Sequence, residues 1–336
     1  MVRRILLVWL CLLVAADLLF ANGQTEKTAG ATQVTGTFYE LYQSCPSNPF
    51  WVAVNNGGKA AAAALGVKLK IEDPLKCTGE IPQENDLLTT IINSHPAGIA
   101  LSVVSTTAFA SNIQRARAMH IPIIAYNSLP MNTDLQVEPV EGYVGQNNFA
   151  AGQALARRTI QLFHLRPGDT VLAADQCYIN RTCFNRYLGI KSVLEPKGIN
   201  VKVMNLDYNI AESTGIVKDY FENDGRPDAV YCFGSASVEE VVNAAKAMGY
   251  TKDRLPIGGF DDDPIANKYL LDGWYRITAD QEPFLQGFDA LVDLYSAVVF
   301  KEHPINMSTG PEFVRNCAAD RAKGWLTESV VRNTGL

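Results

Sequence analysis

The segment that decides the fold is residues 98–126, GIALSVVSTTAFASNIQRARAMHIPIIAY. Residues 98–104 are almost entirely apolar and predict a buried strand, and 122–126 predict a second one. Residues 108–119, which lie between them, predict a helix. Strands that are apolar on both faces and joined by a helix run parallel in a sheet that helices cover on both sides.

The same alternation extends along the chain in both directions. The other predicted strands are 37–42, 67–71, 142–145, 169–174, 201–206, 229–233, 257–260 and 275–279. The other predicted helices are 49–65, 84–94, 148–163, 185–194, 212–222, 238–248 and 283–299. Two consecutive sets of about five strand–helix units predict an α/β protein with two doubly wound parallel-sheet lobes.

Composition and charge exclude several classes of protein. Of the 336 residues, 47% are hydrophobic and 19% are charged, which supports a large core and excludes global disorder. The net charge of -6 argues against a nucleic-acid binder, because such proteins usually present a basic face. A single long apolar run excludes a membrane protein with several spans.

That apolar run lies at the N-terminus. Arg3 and Arg4 precede the run over 5–16, which is shorter than the roughly 20 residues that span a bilayer. A basic start followed by a short apolar core predicts a secretory signal peptide over 1–24. The alternative is an uncleaved membrane anchor.

The cysteines agree with export to an oxidising compartment. Six cysteines follow the signal peptide, an even number that suits disulfides. Cys177 and Cys183 share one short segment, and Cys45 and Cys77 each follow a strand at the same edge, so either pair is a candidate disulfide. Cys232 lies inside an apolar strand and is interpreted as a buried thiol.

Ligands of open parallel sheets bind beyond the carboxyl ends of the strands. The residues found there include Asn48, Phe50, Trp51, Asn127, Ser128, Asp175, Gln176, Arg186, Tyr208, Gly234, Ser235, Asp261 and Gln281. Amides, carboxylates and arginine match the donors and acceptors of hydroxyl groups, and aromatic faces cover the C–H patches of a sugar ring. Each Asn or Asp alone is explained as well by a helix N-cap, and the aromatics by core packing. The combination across eight strand ends favours binding.

Catalysis and metal binding are weaker interpretations. The segment 234–237, GSAS, lacks the nucleophile elbow of hydrolases, and no phosphate-binding glycine fingerprint occurs. Three adjacent carboxylates, Asp261, Asp262 and Asp263, suggest a metal site, but neighbouring side chains point in different directions. We expect Asp261 to face the ligand and Asp262 or Asp263 to cap the next helix. The prediction is therefore no enzyme, no cofactor and no metal.

Five motifs carry a resemblance to a known family. They are NPFW at 48–51, IPIIAYN at 121–127, YVGQNN at 143–148, IGGFD at 257–261 and DQEP at 280–283. In this order and spacing the chain, over about 35–307, resembles the periplasmic sugar-binding proteins of ribose-binding type, which have the type I periplasmic binding protein fold. These are soluble receptors of ABC importers.

The resemblance implies a binding role for individual residues. The implied contacts are ring stacking by Phe50, Trp51 and Tyr208, amide contacts from Asn48 and Gln281, and polar contacts from Arg186 and Asp261. Two positions depart from the family pattern: Asn127–Ser128 replaces an Asp–Arg pair, and Gly234–Ser235 replaces Asn–Asp. The site loses charge and gains room, so another sugar or a sugar alcohol is as good a candidate as ribose.

The resemblance also implies an organisation and a partner. An N-terminal lobe is expected over 35–144 plus 282–304 and a C-terminal lobe over 145–281 plus 305–336. They would be joined by a three-strand hinge near 142–146, 278–281 and 302–306. A bound sugar or polyol would close the lobes, and a membrane permease would recognise the closed surface. The protein is expected to be a monomer in the periplasm. No nucleic-acid partner is expected, since a signal peptide stands where a repressor of this fold has its DNA-binding headpiece. The alternative function is a sensor that presents a sugar or an autoinducer-like ligand to a chemoreceptor or histidine kinase.

Overall fold

The computed structural model describes residues 34, 36–75, 81–129, 140–177 and 181–315. The predicted signal peptide, Cys77 and Cys317 lie outside these residues. None of the helices in the described ranges combines the length and the hydrophobicity that a bilayer crossing requires.

Strands and helices alternate along the described chain. The strands are β1 (Thr37–Leu41), β2 (Lys68–Glu72), β3 (Gly98–Leu101), β4 (Ile123–Tyr126), β5 (Gly142–Val144), β6 (Thr170–Asp175), β7 (Asn200–Asn205), β8 (Ala229–Cys232), β9 (Ile257–Phe260), β10 (Tyr275–Asp280) and β11 (Glu312–Val314). The helices are α1 (Pro49–Leu65), α2 (Ile81–Asn93), α3 (Thr106–Ala118), α4 (Asn148–Leu162), α5 (Arg181–Leu194), α6 (Ile210–Asn223), α7 (Ser235–Ala247), α8 (Pro264–Asp272) and α9 (Pro283–Val299).

These strands form two sheets, as the sequence predicts. The first has the order β2-β1-β3-β4-β5 and is parallel throughout. The second has the order β11-β10-β9-β8-β6-β7 and is parallel except for β11, which runs antiparallel to β10. Each order reverses direction at an inner strand, so both sheets are doubly wound and the predicted fold class is confirmed.

Helix α9 follows the second sheet in sequence but packs on the first. It lies against α1, β3 and β4. Its approach to α1 needs glycine on both sides: a Cβ at Gly57 would lie 1.9 Å from the Phe284 carbonyl oxygen, and one at Gly287 would lie 2.1 Å from the Val54 carbonyl oxygen. The two helix backbones therefore touch, which fixes the returning chain to the first sheet.

Three chain segments that pass between the sheets are hydrogen-bonded to one another. The Met307 N–H donates to the Tyr143 carbonyl oxygen at 2.8 Å, and the Gly145 N–H donates to the Met307 carbonyl oxygen at 3.0 Å. The Thr309 hydroxyl donates to the Gln281 carbonyl oxygen at 2.8 Å. Tyr143, Gly145 and Gln281 lie in two of the segments for which the resemblance implied a hinge, whereas Met307 and Thr309 lie just beyond the implied third segment, 302–306.

Some predicted element boundaries are wrong. Strand β3 ends at Leu101 instead of residue 104, because the Val103 N–H donates to Ser128 outside the sheet. Helix α5 begins at Arg181 and α7 at Ser235, each a turn or so before the predicted start. Strand β11 was not predicted, and α8 was expected only as the helix that Asp262 or Asp263 caps, without bounds. The cap of α8 is Asp263 rather than Asp262, since its carboxylate accepts the N–H groups of Ile265 and Ala266 at 2.9 and 3.0 Å.

Candidate ligand-binding site

A cavity of about 250 Å³ lies at the carboxyl ends of both sheets. Eight of the eleven predicted binding residues line it: Asn48, Phe50, Trp51, Asn127, Arg186, Tyr208, Ser235 and Asp261. The other three, Ser128, Gly234 and Gln281, are absent from its wall. A concave cavity lined by aromatic and polar groups from both sheets has the general character of a small-molecule site.

The first sheet contributes an aromatic wall. Trp51 is only 3% exposed and stacks on Tyr42, with ring centroids 4.3 Å apart and an interplanar angle of 8°. Phe50 and Tyr126 meet the Trp51 ring edge-on at 5.2 and 5.8 Å. One face of the Trp51 ring therefore packs in the core. Phe50 is half-buried and adds an accessible ring to the cavity.

Asn48 caps a helix and also lies in the cavity wall. Its carboxamide oxygen accepts the Phe50 N–H at 3.1 Å and caps α1, while its Nδ2 donates to the Ser44 hydroxyl at 3.3 Å. The same side chain lines the cavity. Together with Pro49 in the first turn, this cap fixes the start of α1 and therefore the positions of Phe50 and Trp51.

Arg186 is the buried cation of the wall. Its Nε donates to Asn148 Oδ1 at 3.0 Å, its Nη1 donates to the Phe233 carbonyl oxygen at 2.7 Å, and its guanidinium lies 4.2 Å from the Phe260 ring centroid. Burial lowers the pKa of Arg186, and the carboxylates of Asp261 and Asp175 oppose that change. These contacts hold the guanidinium rigidly at the cavity.

Asp261 is the carboxylate next to that cation. Its backbone φ of 71° is left-handed and turns the side chain away from β9. The carboxylate accepts Gln281 Nε2 at 2.5 Å and the Ser235 N–H. Burial raises the pKa of Asp261, and Arg186, Gln281 and the Ser235 N–H counteract this rise. Gln281 thus positions Asp261 and borders a smaller neighbouring cavity instead of the main one.

Gly234 makes room for Gln176, which the sequence placed at a strand end without giving it an individual binding role. A Cβ at Gly234 would lie 2.2 Å from Gln176 Nε2. Gln176 lines the cavity, and its Oε1 accepts the Ser237 N–H at 2.7 Å. Burial raises the pKa of Tyr208 to about 12, while a hydrogen bond with the Gln176 side chain lowers it. Gln176 was recognisable in the sequence only by its position at the end of β6.

Ser128 and Asn127 contact other parts of the site. The Thr182 hydroxyl, at the start of α5 and in the cavity wall, donates to the Ser128 hydroxyl at 3.1 Å. Asn127 lines the cavity, and its Nδ2 donates to Gln286 Oε1 on α9 at 3.2 Å. Ser128 therefore acts behind the wall, where it joins the end of β4 to a helix of the second sheet.

Two of the cysteines form part of the wall. Cys177 and Cys183 line the cavity and are joined by a disulfide, one of the two pairs that the sequence left open. Cys45 is also disulfide-bonded, and Cys232 is a buried free thiol. Asp175 lies within 4.8 Å of both wall sulfurs, but the disulfide leaves them no thiolate with which to hold a metal.

Removing the wall disulfide is expected to weaken both the fold and the site. Replacing Cys177 and Cys183 together by serine opens a loop with a sequence separation of 6, which is expected to lower the free energy of unfolding by about 2 kcal/mol. Ligand affinity should fall too, because α5 carries Thr182 and Arg186. Urea unfolding and calorimetric titration measure the two effects. An unchanged urea midpoint would show that the disulfide is dispensable.

Comparison with known proteins identifies the family. A model of the periplasmic binding protein domain matches residues 43–302. The xylose/arabinose-binding protein XylF of Sulfolobus acidocaldarius is 26% identical over 288 residues, which cover 80% of this chain and 69% of that protein.

Solved structures share the fold at low identity. An ABC transporter solute-binding protein from Burkholderia graminis in complex with D-arabinose has a TM-score of 0.76 and 22% identity, covering 86% of this chain and 97% of that chain. A carbohydrate transporter from Acidothermus cellulolyticus in complex with myo-inositol has a TM-score of 0.75 and 22% identity, covering 89% and 99%. With a family model that matches most of its length, the chain belongs to the periplasmic binding proteins of type I fold and is a binding protein, not an enzyme.

Proposed function

We propose that this protein is the solute-binding component of an ABC importer and that it binds a sugar or polyol in the cavity between two lobes. The observation that carries the proposal is the composition of the wall: the aromatic rings of Phe50 and Trp51 from the first lobe and the buried Arg186–Asp261 pair from the second line the same cavity. A sugar ring offers apolar faces to the former and hydroxyls to the latter. The names of the relatives, which bind xylose, arabinose or myo-inositol, support the same ligand class.

The proposed mechanism is hinge closure. The lobes would comprise 35–144 plus 282–304 and 145–281 plus 305–336. Because each lobe supplies only part of the wall, a ligand makes all of its contacts only when the lobes are closed, and it therefore shifts the population towards that state. A permease that recognises the closed surface would then bind only the protein that carries ligand. The predicted signal peptide would deliver the chain to the periplasm, where we expect a monomer.

A ligand screen tests the proposal. The purified protein, unfolded and refolded to strip bound ligand, is heated with pentoses, hexoses and polyols. A ligand at about 100 times its dissociation constant adds about 2.7 kcal/mol of stability and raises the midpoint. No shift with any sugar or polyol would contradict the proposal.

Asp261→Asn is expected to lower the affinity for the ligand identified by the screen by roughly tenfold, because the variant lacks a charged acceptor for ligand hydroxyls. Isothermal titration calorimetry measures the loss. Asp219→Asn is a matched control, since Asp219 is exposed on α6 and outside the cavity wall. Equal affinities for the two variants would remove Asp261 from the site.

Transport and sensing lead to different phenotypes. For an importer, deletion of the gene is expected to abolish uptake of the radiolabelled ligand at low concentration. Uptake that persists while the ligand-induced transcriptional response disappears would favour the sensor.

A further inference from the structure

Glu239 is a carboxylate of the cavity wall that no sequence motif pointed to. It lies on α7, is half-buried and lines the cavity. The Tyr269 hydroxyl donates to Glu239 Oε1 at 3.3 Å. One neutral donor therefore orients the carboxylate at the cavity wall.

Glu239 leaves the wall with an unbalanced negative charge. The described lining residues include three charged side chains: Arg186, Asp261 and Glu239. Arg186 and Asp261 lie close enough that each favours the charged form of the other. Within the described part of the chain, Glu239 takes part in no salt bridge with lysine or arginine.

Both lysines and carboxylates lie near Glu239. Lys246 and Lys268 lie over the Tyr269 ring, 5.5 and 5.0 Å from its centroid, and neither is part of the cavity wall. Burial raises the pKa of the neighbouring Glu240 to about 8, and the charges of Asp207 and Glu239 add to that rise. Neither lysine therefore places a positive charge on the cavity wall beside Glu239.

We propose that Glu239 makes the cavity selective for a ligand with a positively charged amino group: an amino sugar or an amino polyol. This inference rests on the proposed function and names the substrate class of the same site. An ammonium group that reaches Glu239 forms a charge-assisted hydrogen bond, which is stronger than one between neutral groups. A neutral hydroxyl at the same place offsets less of the free energy that is needed to remove the Glu239 carboxylate from water. A carboxylate or phosphate group of a ligand is repelled by Glu239.

The test compares ligands that differ only in charge. The refolded protein is titrated calorimetrically with D-glucose and D-glucosamine, with D-galactose and D-galactosamine, and with myo-inositol and an amino-deoxy inositol. D-glucuronate is the anionic probe. In at least one pair the amino compound should bind roughly tenfold tighter than its neutral partner, and D-glucuronate should not bind.

Variants assign the preference to Glu239. Glu239→Gln retains an oxygen that accepts the Tyr269 hydroxyl, and it should equalise the affinities within the pair. Glu222→Gln removes the same charge from an exposed salt bridge with Lys218 and should leave the preference unchanged. A neutral sugar that binds at least as tightly as every amino analogue, or a preference that survives Glu239→Gln, overturns this inference and leaves the proposed function standing. Failure of every sugar and polyol overturns both.

Discussion

Replacing Arg186 with methionine is expected to abolish ligand binding and to lower the free energy of unfolding by about 3–5 kcal/mol. The guanidinium is 3% exposed and donates to Asn148 Oδ1 and the Phe233 carbonyl oxygen. Methionine fills a similar volume but leaves both acceptors without this donor. It also leaves the buried Asp261 carboxylate without its cation.

The loss of stability should depend on pH. Arg186 lowers the pKa of Asp261, so in the variant this pKa rises further above its unfolded value of about 3.9. A carboxyl whose pKa is raised by folding stabilises the fold at low pH and loses that contribution as the pH rises. The variant should therefore be less destabilised near pH 4 than at neutral pH.

Urea unfolding at several pH values measures the effect. Arg157→Met is the matched control, because Arg157 is exposed on α4 and outside the cavity wall. The double variant Arg186→Met/Asp261→Asn should regain part of the stability at neutral pH without regaining ligand binding. Wild-type affinity in Arg186→Met would exclude Arg186 from the site.

Trp51→Ala is expected to lower the free energy of unfolding by roughly 3–5 kcal/mol and to weaken binding by roughly 1–3 kcal/mol or more. The ring is buried against Tyr42 and touches Phe50 and Tyr126 edge-on. Its removal leaves a hole in the core of the first sheet and takes a stacking surface from the cavity. Chemical unfolding and calorimetry measure the two losses.

Two further variants separate the core role of Trp51 from its role in the site. Trp51→Phe keeps an aromatic ring against Tyr42 and should recover most of the stability. Phe50→Ala removes a half-buried ring and should affect binding more than folding. If Trp51→Ala and Phe50→Ala both bind ligand like the wild type, the aromatic wall takes no part in binding.

Much of the fold follows from local pattern. The apolar runs that became β3, β4, β8 and β9 alternate with helices, and parallel pairing is the arrangement that buries such runs on both faces. The same logic located eight of the residues that line the cavity, because parallel strands bring their carboxyl ends to one edge. Asn48, Tyr208 and Asp261 are distant in sequence and meet at that edge.

Local pattern could not identify the residues that support or extend the site. Gly234 was predicted to bind ligand, but it stands where Gln176 leaves no room for a Cβ. Gln281 was assigned to the ligand, and its amide instead holds Asp261. In both cases the partner is more than 15 residues away, so no short motif records the contact.

The sequence by itself determined the two doubly wound sheets, the alternation of most of their strands and helices along the chain, and the strand ends that form the cavity, because period and apolarity of a segment specify its burial. Only the tertiary structure decided how closely α9 approaches α1, that the Cys177–Cys183 disulfide forms part of the wall, and that Glu239 faces the cavity. The direction of a side chain in the middle of a helix depends on how that helix is rotated against its neighbours, and packing between distant segments sets that rotation.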